Sequence, residues 1–507
     1  MPQKYPIGIQ SFDKLREENF LYIDKTPYLH DLVNSAGYYF LSRPRRFGKS
    51  LFVNTIEALF QGKKDLFKGL FIEDKWNWEQ TNPVIKISFS NIDHKEIGLS
   101  KAIKIELRKQ AQSFGFELES ESNGLMFREL IETISKKQGK VVVLIDEYDK
   151  PIIDYLGVNT EKALENQDIL KGFYSILKDA DDYLRMVFIT GVSKFSRVSI
   201  FSDLNNLRDL TVTKQFAGLC GITQEELESN FSEELKLYDK EKIRLWYNGY
   251  TWDLNTKVYN PFSVLNFFND RGEFRNYWFE TGTPTFLVNL CKKLQMVEFE
   301  KVELPLTTLG AYDIQNLQLI PLMFQTGYLT LKKYDEEYDF YQVGYPNDEV
   351  KNSFLQILAN AYIQNEQQQG ITLVSKLHIS LQNYDLEKVQ QILNTLFKSI
   401  PYTLWQKENE HFYHATIHLI FKLLGIYVDS EVQTSDGRMD ALVRLEKYVY
   451  CFEFKLDESA EMALAQIEKK EYLTPYLHQG RTCIGIGVNF SKEEKKVKEF
   501  LWKEFSA

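Results

Sequence analysis

Apolar and polar positions alternate along the first 215 residues in two periods. Short apolar runs, Tyr38–Leu41, Val84–Phe89, Val141–Ile145 and Met186–Ile189, read as strands. Between them, apolar residues recur every three to four positions over Ser50–Phe60, Ile97–Phe114 and Gly124–Lys137, which predicts helices. Continuous apolar strands alternating with amphipathic helices predict an α/β fold with a buried parallel sheet. From Gly221 the pattern becomes mostly helical and aromatic-rich. Trp246–Trp252 and Tyr259–Val264 suit a buried core better than base stacking. Residues 326–348 predict a hairpin with a helix from Pro346, compatible with a winged helix. Strand-like runs return at Ile426–Val432, Asp440–Leu445, Tyr448–Lys455 and Cys483–Val488, after a helix over 408–424 and around a helix over Glu458–Leu473. A terminal helix is expected after them. Their order is αβββαβ.

The strand ends carry the chemistry. Tyr38–Leu41 runs into Arg43-Pro44-Arg45-Arg46-Phe47-Gly48-Lys49-Ser50 and then a helix. A strand, a loop and Gly-Lys-Ser at a helix start describe a phosphate-binding loop, with Lys49 on the terminal phosphates and Ser50 on Mg²⁺. Arg43 stands where the usual pattern has glycine. With Arg45 and Arg46 it is expected to add positive charge around the phosphates or to face a neighbouring chain. Val141–Ile145 ends in Asp146-Glu147, with Asp146 expected to hold Mg²⁺ and Glu147 to polarise the attacking water. Thr190 or Ser193, at the end of the following strand, is placed to sense the γ-phosphate. Asp24-Lys25-Thr26-Pro27 reads as a plain helix start.

A hairpin closed at Glu446-Lys447 sets Asp440 opposite Glu453, with Lys455 on the same face. Opposed carboxylates need a cation, and Mg²⁺ suits their oxygens. Lys455 then orients the water and stabilises charge on a phosphate. Glu410, His414 and His418 share one helix face without a zinc signature, and a polar face is the expectation.

Composition narrows the class. A chain of 507 residues suggests two to four domains. With 44% hydrophobic residues, and no apolar run approaching the roughly 18 that a span needs, it reads as globular with no membrane partner. Cys220, Cys291, Cys451 and Cys483 lack metal spacing, and no secretory leader is evident, so a cytoplasmic protein with reduced thiols is expected. The net charge of −10 argues against a broad basic surface but not against a local channel.

The segments YIDKTPYLHDLV, FLSRPRRFGKSLF, VVVLIDEYDKP and FITGVSKFS resemble the prokaryotic AAA-ATPase-like domain family. GRMDALV, YCFEFK and ALAQIEKKEY resemble the PD-(D/E)XK nuclease domain that commonly follows it. The resemblance makes Arg43 a family form of the loop. It implies ATP at Gly48, Lys49 and Ser50, a Walker B pair in Asp146 and Glu147, and nuclease chemistry at Asp440, Glu453 and Lys455. It adds Gln466 as the helix polar residue and Glu410 as a candidate helix acid. Met439 stands where the signature has proline.

The expected organisation is an AAA-type P-loop NTPase domain over 1–215, a helical lid or winged-helix-like region over 216–400, and a PD-(D/E)XK domain over 401–507. The expected function is ATP-gated or ATP-driven, Mg²⁺-dependent cleavage of nucleic acid, most simply DNA. Catalysis falls to Glu147, Asp440, Glu453, Lys455 and Gln466. Nucleotide binding falls to Arg43, Arg46, Gly48, Lys49, Ser50, Asp146 and Thr190, and Mg²⁺ to Ser50, Asp146, Asp440 and Glu453. A homo-oligomer through the ATPase domain would draw its arginine in trans from Arg197 or Arg208. The alternative is a nucleotide-dependent switch or scaffold whose C-terminal domain binds nucleic acid without cutting it.

Overall fold

The computed structural model describes residues 4–506 except 36, 194–200, 202–203, 205, 280–284, 295, 306–307, 310–313, 315–316, 364–368, 399–418, 423, 425–431, 434–440, 492 and 495. It forms two compact units, residues 1–286 with 299–350, and residues 287–298 with 351–507.

The first unit is built on a five-stranded parallel sheet. Its strands are β1 (Gly37–Ser42), β2 (Val84–Ser88), β3 (Val141–Asp146), β4 (Leu184–Gly191) and β5 (Leu207–Asp209), in the order β2-β3-β4-β1-β5. Every residue of β3 is buried, as expected of a strand covered on both faces. Helices Lys49–Phe60, Leu99–Ser113, Asn123–Gln138 and Thr160–Tyr174 supply the cover. Phe52 meets Phe188 of β4 at 5.6 Å between ring centres, and Phe127 stacks on Phe173 at 4.5 Å. Because β4 lies between β1 and β3, Thr190 falls between the Gly-Lys-Ser loop and Asp146.

Beyond residue 215, two-residue strands β6 (Ile222–Thr223) and β7 (Val258–Tyr259) pair beside helices Gln224–Asn230, Lys240–Tyr247 and Pro261–Asn269. Phe231, Tyr247, Phe267, Phe268 and Tyr277 form a buried cluster here, so these aromatics are core. The expected hairpin is β9 (Thr330–Asp335) with β10 (Phe340–Gly344). A further strand, β8 (Val302–Pro305), pairs with β10.

The second unit carries a mixed sheet, β11 (Val432–Gln433), β12 (Ala441–Arg444), β13 (Tyr448–Leu456), β14 (Thr482–Ser491) and β15 (Lys496–Phe505), in chain order. The expected β12–β13 hairpin forms in the expected register, with Ala441 opposite Phe452 and Arg444 opposite Val449. β13 runs parallel to β14, joined through the helix Ala460–Lys469. One expectation fails: the final segment is not a helix but β15, antiparallel to β14. Val497, Phe500 and Leu501 have helical spacing, but the ladder offered by β14 overrides that local pattern.

Candidate nucleotide and nuclease sites

The loop after β1 turns into the helix Lys49–Phe60 through two left-handed residues, Arg46 at φ +69° and Gly48 at φ +91°. Gly48 tolerates this because it has no Cβ; Arg46 adopts it at a cost of about 1 kcal/mol. The turn aims the helix N-terminus at a cavity of about 370 Å³ lined by Arg45, Arg46, Gly48, Lys49, Ser50 and Glu147, among others. Lys49 is 5% exposed and folds back, its Nζ donating to the carbonyl oxygens of Arg43 and Pro44 at 2.9 Å each. Burial pushes its pKa below that of a free lysine, against the pull of Asp146 and Glu147.

Arg43 does not face that cavity. Its side chain is fully buried and stacks on Trp252, 3.9 Å from guanidinium to ring centre. It donates to the carbonyl oxygens of Ser42, Thr211 and Phe216. The charge expected on the phosphates is spent on holding the loop to the segment after β5. Burial lowers its pKa to about 10. Arg46 does line the cavity, with its guanidinium 4.8 Å from the centre of the Phe262 ring.

On the other side, Asp146 ends β3 and accepts a 2.6 Å hydrogen bond at Oδ1 from Thr190 Oγ1. Glu147 follows at φ +53° and lines the cavity. Burial raises its pKa above the ordinary glutamate value, while Lys49 opposes the rise. Ser193, the other candidate at this strand end, is taken by Asp149. Asp149 is fully buried and accepts from the Ser193 amide and hydroxyl at 2.7 Å each and from the Val192 amide. A side chain on Gly191 would meet the Tyr148 ring at 2.4 Å, so glycine permits this close packing of the two strand ends.

In the second unit, Glu453 of β13 is 3% exposed, and Lys455 Nζ lies 3.6 Å from its Oε1. Lys455 also donates to Gln466 Oε1 at 2.8 Å, from the helix Ala460–Lys469. That helix lies close to β14 because Gly487, opposite Glu453, has no side chain. A Cβ there would come within 2.3 Å of the Ala460 carbonyl oxygen. The Glu499 carboxylate caps the helix at the Ala460 amide. Glu453, Lys455 and Gln466 are therefore brought together as expected. Asp440, Glu410, His414, His418 and Arg197 lie outside the described residues.

Comparison with known proteins finds two family models along the chain. Residues 6–201 match the family model "Predicted AAA-ATPase", and residues 408–500 match the PD-(D/E)XK nuclease superfamily. A protein of Azotobacter chroococcum mcd 1, named "Uncharacterized protein in vnfD 5'region", is 40% identical over 98% of both chains. The chain belongs to this family of predicted AAA-ATPases with a C-terminal PD-(D/E)XK domain. Among solved structures, the Aeropyrum pernix ORC1 protein in complex with DNA aligns at 13% identity and a TM-score of 0.27, covering 65% of this chain and 90% of that one. So loose a likeness carries no argument.

Three features of this predicted AAA-ATPase have no motif in the sequence. Asp149, three residues after Asp146, braces the end of β4. Asp154 gathers Lys150 at 3.0 Å, Lys95 at 3.1 Å and the buried His94 at 3.4 Å. Burial works to raise the Asp154 pKa, but His94 and the two lysines hold it well below the carboxylate range. Lys150, its nearest partner, also lines the cavity at the Gly-Lys-Ser loop. Lys25 is no plain helix-start residue: it is buried and ion-paired to Glu226 at 2.6 Å, tying residues 24–34 to the region beyond 215. The spacing of Lys150 and Asp154, four residues apart, was the only sequence signal among these. Arg208, a candidate for action in trans, lies 5.7 Å over the Phe216 ring. No helix among the described residues is long and apolar enough to cross a membrane.

Proposed function

We propose that this chain is a cytoplasmic ATPase whose nucleotide cycle gates a Mg²⁺-dependent nuclease acting on DNA. The ATPase lies in residues 1–215, the connecting region in 216–400 and the nuclease in 401–507. The observation that carries the ATPase half is that Lys49, after β1, and Glu147, after β3, line one cavity at the C-terminal edge of the parallel sheet, at the N-terminus of a helix. The residues there suit ATP. Gly48 leaves room for close approach of a phosphate, Lys49 and Arg46 offer cations, and Ser50 and Asp146 are the oxygen donors for Mg²⁺.

ATP with Mg²⁺ supplies the phosphoanhydride to be broken and the charge that stabilises its departure. This chain's residues do the rest. Glu147 orients and deprotonates the attacking water, Lys49 leaves the Arg43 and Pro44 carbonyls for the terminal phosphates, and Thr190 holds Asp146 in place. In the nuclease half, Asp440 and Glu453 are assigned to Mg²⁺. Lys455, steered by Gln466, positions the water and offsets charge on the scissile phosphate.

The test is an assay of single- and double-stranded DNA and RNA, with and without ATP and Mg²⁺, on the native chain, Glu147→Gln and Lys455→Ala. Expected are cleavage of DNA by the native chain that depends on ATP, loss of cleavage in Lys455→Ala with ATP turnover intact, and loss of ATP turnover in Glu147→Gln. DNA binding without products under every condition would instead establish the nucleotide-dependent switch. Cleavage indifferent to ATP would remove the gating.

A further inference from the structure

Strand β15 is an edge. Among the described residues it pairs with β14 on one side and with no strand on the other. Only its start is engaged there, where the Val497 amide donates to Asn394 Oδ1 at 2.7 Å. Beyond that, no hydrogen-bonding partner for the backbone stands on this edge among the described residues: Leu501 is 37% and Trp502 45% exposed, Lys503 and Glu504 are exposed with them, and the Phe500 ring alone is buried on one face. Proteins usually blunt such an edge by shortness, charge, proline or a bulge, and of these β15 relies on charge, with Lys496, Lys498, Glu499, Lys503 and Glu504. β15 runs ten residues without proline, and its only irregularity lies near its start, where the register shifts opposite Asn489 and Phe490.

Its charges are complementary to themselves. We infer that β15 pairs antiparallel with β15 of a second copy of this chain, about a twofold axis at Leu501. In a symmetric ladder, residues whose amides point outward must face residues that do the same, which allows only registers centred on a residue. Centred on Leu501, Lys498 faces Glu504, Glu499 faces Lys503, Phe500 faces Trp502 and Leu501 faces its own copy. Opposed charges and opposed aromatics are the favourable cross-strand pairs. Centring on Phe500 leaves only Lys496 against Glu504 and sets Glu499 against Leu501. Centring on Trp502 leaves no charge pair and sets Phe500 against Glu504.

Existing partners do not block this. Glu499 accepts from the Ala460 amide and Glu504 from the Tyr384 hydroxyl, each leaving carboxylate oxygens to share. Lys503 pairs with Glu468 on the surface, both more than half exposed, a contact that is weak and easily exchanged. The pairing joins two sheets into one of ten strands and gives each assembly two PD-(D/E)XK domains.

Charge reversal on the full chain tests the register. By sedimentation velocity at micromolar concentration, the native chain is expected at twice its 59.6 kDa mass. Lys498→Glu and Glu504→Lys are each expected to weaken association about tenfold, since each sets like charges face to face twice. The double variant restores the opposed pairs and the dimer. Oxidised Leu501→Cys is expected to cross-link to itself. A monomeric native chain, single variants as dimeric as the native protein, or a double variant no better than the singles would each overturn the proposal. Circular dichroism of each variant shows whether the fold is intact.

Discussion

Thr190 donates its hydroxyl to Asp146 across two neighbouring parallel strands, at 2.6 Å and with both side chains buried. The sequence separates them by 44 residues; the insertion of β4 between β1 and β3 brings them together. Thr190→Val keeps the shape and removes the donor. It is expected to lower ATP turnover about tenfold, the rate equivalent of roughly 1.4 kcal/mol, which lies within the roughly 1–3 kcal/mol cost of a stranded buried acceptor. Nucleotide affinity, read by fluorescent-analogue titration, should change less. An equal fall in affinity would move Thr190 from positioning to binding.

Arg43 and Arg46 should separate. Arg43→Ala strands three carbonyl oxygens and empties the face of Trp252, costing about 3 kcal/mol or more of stability, visible in urea unfolding. Arg46→Ala removes a side chain that lines the cavity, so nucleotide affinity should fall with little change in stability.

Glu147 gives a pH signature. Burial raises its folded pKa above the ordinary value of 4.5, so the folded protein favours the protonated form. The carboxyl therefore contributes stability below about pH 4.5 that is lost as pH rises through the folded pKa. Glu147→Gln should raise the melting temperature of the nucleotide-free protein at pH 7, and the gain should vanish towards pH 4. ATP turnover of the native chain should show an acid limb centred above 4.5.

Asp154 runs the other way. His94 and two lysines overcome burial and depress its pKa, so its contribution is present above the unfolded value and lost as pH falls towards the folded one. Asp154→Asn should melt earlier than the native chain at pH 7, with the difference closing in strong acid.

Gly487→Ala places a methyl against the Ala460 carbonyl and should displace the helix that carries Gln466. Cleavage should fail while ATP turnover continues, with a stability cost of roughly 1–3 kcal/mol. Cleavage at the native rate would show that Gln466 does not position Lys455.

The sequence by itself determined the elements whose signal is local. Continuous apolar runs marked β1 to β4. Gly-Lys-Ser and Asp-Glu stood at strand ends, and the two-residue turn fixed the β12–β13 register. Period and turn chemistry act over a few residues, so they are written in a few residues. Only the tertiary structure decided where side chains with more than one possible partner would go. Arg43 sits among other basic residues in the loop, yet Trp252 and three carbonyls draw it inward. Asp149 had no visible task until β4 arrived beside it. Lys496–Phe505 carried helical spacing until β14 offered a ladder. The deciding partner lies 44 residues away for Asp149 and beyond residue 200 for Arg43, where burial beside it outweighs the local preference, whereas for Lys496–Phe505 it is the neighbouring strand of one hairpin, whose ladder does so.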